Sequence, residues 1–254
     1  MILGRPLLPS TLPAWLVVFV LAMGPAEPTL AGPPYQSDDP EPTPEGRFEI
    51  YSFTSGSATR TDFGGQGGID FNYGGAPDLQ LTATLPLGFA HAAGSATKTG
   101  LANIALAAKC RFLHQDDVGV DIAVFPRVFL PSGSSTVGDN HPSLLLPIWL
   151  GRDWGDGWSA FGGGGCVLNS VRARNFCLAG GVVTRQVTEK LQLGVEFFHQ
   201  TADSNGTPAS SSLGIGGTYD LDDRYHLLGY VSHGIENASQ TGMYGWYAAI
   251  LFTF

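Results

Sequence analysis

The sequence predicts an all-β protein, an antiparallel transmembrane β-barrel of about twelve strands with short turns at one end and longer loops at the other. Three observations predict it. The final segment, residues 244–254, puts Trp246, Ala248, Ile250, Phe252 and Phe254 on one strand face and stops on an aromatic. That ending resembles the signal by which bacterial outer-membrane barrels are recognised for assembly. Tight turns and looser loops alternate along the chain, as they do when both termini lie on the same side of a membrane. Apolar and polar residues also alternate with a period of two, which suits a wall between lipid and a wet lumen. A half-buried antiparallel sheet shows the same alternation, so the terminal aromatic and the rhythm of the connections decide the reading.

Composition agrees. Charged residues make up only 14 % of the 254-residue chain, against 35 glycines and 11 % aromatics. A formal net charge of −9 with no basic run argues against a nucleic-acid partner. Three cysteines give no complete disulfide framework. Cys166 and Cys177 would face each other across a hairpin, yet small apolar wall thiols are the preferred reading for all three.

Taken in order, residues 1–31 read as a secretory signal peptide. Arg5 supplies the positive charge, and residues 12–23 form an apolar stretch too short to span a bilayer. Residues 32–46 (GPPYQSDDPEPTPEG) are too rich in proline for a helix or an interior strand and read as a periplasmic leader. Its acids Asp38, Asp39 and Glu41 suggest a solvated segment, with entry into the lumen as a plug the alternative.

From residue 47 to 254 the chain reads as the barrel. Strand 47–56 turns Glu49 inward, and strand 66–74 turns Asp70 and Asn72 inward. Strand 79–91 alternates Leu79, Leu81, Ala83, Leu85, Leu87 and Phe89 against Gln80, Thr82, Thr84 and Gly88. Strand 100–113 is the weakest, because its Ala and Leu also suit a helix; as a strand it points Asn103, Lys109 and Arg111 inward. Strand 118–131 sets Val118, Val120, Ile122, Val124 and Val128 against Asp121 and Arg127. Strands 142–152, 157–168 and 175–187 follow. Strand 191–202 opposes Leu191, Leu193, Val195 and Phe197 to Gln192 and Glu196, and strand 210–221 opposes Leu213, Ile215 and Tyr219 to Ser212, Thr218 and Asp220. Strand 225–235 carries His233 inward, and strand 244–254 ends the chain. Pro86, Pro126 and Pro147 fall inside strands, where each removes a ladder donor. The links at 75–78, 114–117, 153–156, 188–190 and 222–224 are short and rich in Asp and Gly, as tight turns require.

The candidate lumen-lining residues are therefore Glu49, Asp70, Lys109, Arg111, Asp121, Arg127, Glu196, Asp220 and His233. Lys109, Arg111, Asp121 and Arg127 sit on neighbouring strands. They form either a charged constriction that selects a solute or ion pairs that satisfy one another in a narrow bore. Trp149, Trp154, Trp158, Tyr73, Tyr219, Tyr225, Trp246 and Tyr247 read as interfacial girdle residues. His199, near Asp203, could serve a nucleophile, but no strained serine elbow accompanies it, so an anchoring role is preferred. The histidines show no zinc spacing, and the Gly162–Gly165 run lacks the lysine and helix of a phosphate loop. No catalytic, cofactor or metal residue is assigned.

Six stretches resemble the family described as "Putative MetA-pathway of phenol degradation". They are PPYQSDDPEP (33–42), GIDFNYGGAPDLQL (68–81), FPRVFLPSG (125–133), LPIWLGRDWGDGWSAFGGGG (146–165), RQVTEKLQLGVEFFHQTAD (185–203) and GGTYDLDDRYHLL (216–228). The resemblance implies an outer-membrane barrel of Gram-negative bacteria and the passage of small compounds, aromatic ones among them.

The expected function is a channel for small, aromatic or hydrophobic solutes, with no cofactor. The expected partners are the solute, outer-membrane lipid and lipopolysaccharide, the latter met by Arg60, Lys98, Arg172 and Arg174 in outer loops, and the barrel assembly machinery, which would read Trp246, Ile250, Phe252 and Phe254. The alternatives are a barrel with a structural, adhesive or enzymatic role and a soluble secreted β-protein.

Overall fold

A computed structural model describes residues 34–138, 141–170 and 174–254; the predicted signal peptide lies outside these residues. The chain forms β1 (Phe48–Ala58), β2 (Phe63–Ala76), β3 (Leu79–His91), β4 (Lys98–Leu101), β5 (Ala105–Leu113), the short helix α1 (Gln115–Val118), β6 (Asp121–Val124) and β7 (Arg127–Phe129). It continues through β8 (Ser143–Asp153), β9 (Trp158–Asn169), β10 (Phe176–Thr188), β11 (Leu191–Gln200), β12 (Ser210–Asp220), β13 (Tyr225–Glu236), the short helix α2 (Ala238–Thr241) and β14 (Tyr244–Thr253). All pairings between strands are antiparallel. The segments β4 and β5 share one stave, as do β6 and β7, so the strands make a closed ring of twelve staves.

The last strand closes the ring against the first. Beside the β1–β14 ladder, the Phe48 N–H donates to the Phe254 carbonyl at 2.9 Å and the Phe254 N–H returns to Phe48 at 3.1 Å. Their rings stack at 5.2 Å. Deleting Phe254 removes both bonds and the stack, an expected loss of about 3 kcal/mol of folding free energy. Phe254→Ala keeps the backbone and should lose only about 1 kcal/mol. Urea unfolding of the refolded barrel distinguishes the two variants; equal losses would show that the terminal bonds contribute nothing.

Outward residues are apolar along the ring, with Leu87, Val195 and Val231 each 58–59 % exposed in the absence of lipid. A contiguous apolar belt of this extent is stable against hydrocarbon, not water. Tyr73, Trp158, Tyr219, Tyr225 and Trp246 lie on this outer face, and Trp154 is exposed in the β8–β9 turn. Trp149 and Tyr247 depart from the girdle expectation, because both turn into the lumen.

The turns follow their side chains. Asp153 accepts from the Gly155 N–H at 2.6 Å, and Asp222 accepts from the N–H groups of Arg224 and Tyr225 at 2.8 and 3.0 Å. Those two donors hold the Asp222 carboxyl below its usual range. Three sequence expectations need correction here. Strand 118–131 starts late, because α1 takes the turn and Gly119 ends it at φ 85°, which leaves Val118 and Val120 outside β6. Strands 100–113 and 118–131 are each broken in two, the second at Phe125–Pro126. Cys166 and Cys177 are direct partners in the β9–β10 ladder and form a disulfide, leaving only Cys110 free; the register that opposes them favours the bond over two separate thiols.

At the long-loop end the described residues after β7, up to 138, turn back against the inner wall. The Ser134 N–H donates to Leu101 at 2.8 Å, and Val137 lies 3.0 Å from the point where Gly88 would carry a Cβ on the inner face.

Candidate functional site

The leader occupies the lumen. It enters at the short-turn end, where Glu45 bridges to Gly74 and the Gly46 N–H donates to the Gly74 carbonyl at 2.8 Å. One step further in, the Thr43 N–H and hydroxyl both donate to Gln80 Oε1, at 2.8 and 3.1 Å. The Gln80 amide donates in turn to Asn72 at 2.7 Å and Thr82 at 3.0 Å. A proline-rich segment has few donors of its own, so polar residues of the inner wall take over the pairing that a strand neighbour would provide.

Above this level Lys109, 2 % exposed, meets the leader acids. Its Nζ lies 2.9 Å from Asp38 and 3.5 Å from Asp39, and it donates to the Glu41 carbonyl at 3.1 Å. Burial pushes the Asp39 carboxyl up, and the Lys109 ammonium pulls it back. Across the lumen Glu196, equally buried, accepts from the backbone N–H of Ser37 at 2.6 Å and of Gln36 at 3.2 Å. Tyr35 at the tip packs edge-on against Phe161 and Tyr230, at 5.9 and 5.8 Å. Inner-wall glycines make the room. A Cβ at Gly151 would stand 2.8 Å from the ring of Pro40, and one at Gly180 or Gly194 would collide with Ser37 or Tyr35.

A cavity of about 230 Å³ lies against the leader tip and extends toward the long-loop end. Tyr35–Asp38 form one side; Glu49, Asp70, Lys109, Phe125, Arg127, Trp149 and Tyr247 are among the wall residues. Asp70 accepts from Thr84 at 2.9 Å. The Arg127 guanidinium stacks over Phe125 at 5.0 Å, as does Lys109 at the same distance. The Trp149 Nε1 donor is buried without a partner.

The nine candidate lumen residues separate into levels. Glu49, Asp70, Lys109, Arg127 and Glu196 face the cavity or the leader. Arg111 and Asp121 lie nearer the short-turn rim, where Arg111 contacts Asp78 at 2.9 Å and Asp121 at 3.6 Å. Asp220 pairs with His226 at 2.6 Å beside the β12–β13 turn. His233 is a correction: it opposes the outward Leu213 and packs against Tyr244 at 5.2 Å on the outer face. His226, on the opposite face of the same strand, is the histidine that turns inward. The four charges expected at one constriction thus divide between the rim and the cavity.

His199 lies on the outer wall and does not reach Asp203, which instead accepts from Gln200 at 3.2 Å. Its Nδ1 lies 2.8 Å from the Ser211 hydroxyl, which donates to Glu236 at 2.6 Å. A histidine-activated serine needs the carboxylate on the far side of the imidazole; here the carboxylate accepts the serine's hydrogen bond itself. Among the described residues no cluster of metal-ligating side chains occurs.

A closed antiparallel barrel with an apolar outside, a polar inside and an inner cavity has the architecture of an outer-membrane channel. The chain matches the family described as "Putative MetA-pathway of phenol degradation" over residues 34–252 and belongs to it. Among solved structures it is similar to the COG4313 outer membrane channel from Pseudomonas putida F1, with a TM-score of 0.72 at 13 % identity, covering 85 % of this chain and 98 % of that one. It is also similar to the KdgM porin in complex with disordered oligogalacturonate (TM-score 0.58, 10 % identity, 81 % and 99 % covered) and to the NanC porin (TM-score 0.52, 7 % identity, 82 % and 98 % covered). At these identities the likeness is one of fold. No curated protein matches the chain.

Proposed function

We propose that the protein is a passive outer-membrane channel for small solutes, aromatic or hydrophobic ones among them, and that its leader sets how far the lumen opens. The observation that carries this reading is the cavity held between the leader and the loop end of a closed, lipid-facing wall. Passage through such a pore needs no cofactor and no bond-making, which supports a non-catalytic role. In this reading residues 1–31 direct export, the outward Trp246, Ile250, Phe252 and Phe254 are the strand read by the assembly machinery, and Arg60, Lys98, Arg174 and Arg172, the last outside the described residues, meet lipopolysaccharide phosphates. Solute flux into liposomes holding the purified barrel tests the channel; flux equal to that of empty liposomes would end it.

Selectivity follows from where the cations stand. Arg127 borders the cavity, whereas Arg111 is engaged by Asp78 and Asp121 at the rim. Arg127→Gln is expected to shift ion preference toward cations, and Arg111→Gln to leave it near the wild-type value. Reversal potentials in a potassium chloride gradient read both. Equal shifts would place selectivity at the rim.

A further inference from the structure

One end of the cavity is narrowed by the protein's own chain, the leader. The wall beside it is also unusual. The prolines inside barrel staves that interrupt pairing, Pro86, Pro126 and Pro147, fall in one sector of neighbouring staves, β3 to β8. In an antiparallel ladder a residue's N–H and C=O point to the same neighbour. Pro126 accepts from the Ala108 N–H at 3.2 Å and has no N–H to return. Pro147 accepts from the Phe125 N–H at 3.4 Å and likewise returns nothing. Phe125–Pro126 is therefore held to the staves on either side by one long bond each. Around it the β6–β7 stave pairs six residues with β5 and seven with β8, while the β13–β14 seam pairs nine.

What stands on either side of this segment has a consistent chemistry. Inside, the Phe125 ring is 4 % exposed and lines the cavity with Leu145, Pro147 and Trp149. Outside, Val128, Leu146 and Ile148 face the lipid, 40–50 % exposed. An apolar route from cavity to bilayer thus crosses the barrel where its ladder is weakest. Lys109 and Arg127 both rest on the Phe125 ring, each at 5.0 Å.

We propose that Phe125–Pro126 is a lateral door, through which a neutral apolar solute leaves the cavity sideways into the bilayer without passing the leader. This rests on the channel reading above and adds a route and a substrate class to it: uncharged hydrocarbons and small aromatics, for which the bilayer interior is the favourable destination.

Two variants test the door. In a background with Cys110, Cys166 and Cys177 changed to alanine, Val124→Cys and Ile148→Cys place thiols on register partners across the seam, and oxidation staples it. Pro126→Ala with Pro147→Ala restores both missing donors without a staple. Uptake of radiolabelled naphthalene by cells with an intact outer membrane is read beside single-channel conductance in potassium chloride. Either variant is expected to slow naphthalene uptake roughly tenfold while conductance stays unchanged, and reduction of the staple should restore uptake. Uptake that is unchanged, or that falls in step with conductance, overturns the door. So does a wild-type barrel that conducts ions but leaves naphthalene uptake at the level of barrel-free cells, a result that leaves the channel itself standing.

Discussion

Removing residues 34–44 is expected to raise single-channel conductance severalfold. The segment fills the short-turn half of the lumen, and nothing in the wall moves to replace it: Gln80, Lys109 and Glu196 would face water where they now bind the leader. The ring itself should survive, because its ladder runs from Phe48 to Phe254 without a contribution from the deleted residues. Planar-bilayer recordings read the effect, and thermal unfolding confirms that the barrel has formed. A deletion variant with the wild-type conductance would mean that the leader does not limit passage, and the role assigned to it would fall.

The second large effect is expected from Lys109→Met. Lys109 is the cation that neutralises Asp38 and Asp39 inside the barrel, and both ion pairs are largely shielded from solvent. Removing one partner of a buried pair costs about 3–5 kcal/mol, since the other charge is left uncompensated. A penalty of that size shifts a docked leader toward the undocked state by a factor on the order of 10² to 10⁴. The variant should therefore approach the conductance of the deletion. Protease cleavage of the leader in folded barrels should rise with it, while Lys109→Arg keeps the charge and stays near wild type. A Lys109→Met barrel with a protected leader would place the docking energy elsewhere, with Glu196 the next candidate.

The two effects bear on what kind of device the lumen is. A fixed bore would respond to charge changes at any level. A leader-limited bore responds mainly where the leader is held, so the contrast between Lys109 and Arg111, two positions apart on β5, is informative. One holds the leader and the other holds the rim.

What could be read without coordinates was what local physics fixes. The alternation in β3, β11 and β12 is legible because most outward residues meet lipid and most inward ones meet water or a polar partner, with Phe198 inside and His199 outside as the exception at the end of β11. The tight turns announced themselves through Asp and Gly. The final strand was legible because its greasy face is uninterrupted from Trp246 to Phe254. Where both strand faces are apolar this reasoning loses its grip. In β13, Leu227 and Leu228 are adjacent, as are Tyr230 and Val231, so hydropathy does not choose a face; the pattern leaves His233 free to point inward, whereas the ladder turns His226 there. Trp149 and Tyr247 read as girdle residues from sequence because an aromatic inside a barrel is favourable only when something other than water meets it.

The sequence by itself determined a closed, lipid-facing antiparallel wall, its approximate strand number, and which of its acids and bases face inward on the clearest strands. Tertiary structure alone decided that the leader folds into the lumen, that Lys109 and Glu196 serve it, that Cys166 and Cys177 join, and that Pro147 borders the cavity. The physical reason is range. Period and turn chemistry act between residues a few positions apart, whereas Lys109 meets Asp38 across 71 positions and Ser37 meets Glu196 across 159, and only ring closure brings such partners within reach.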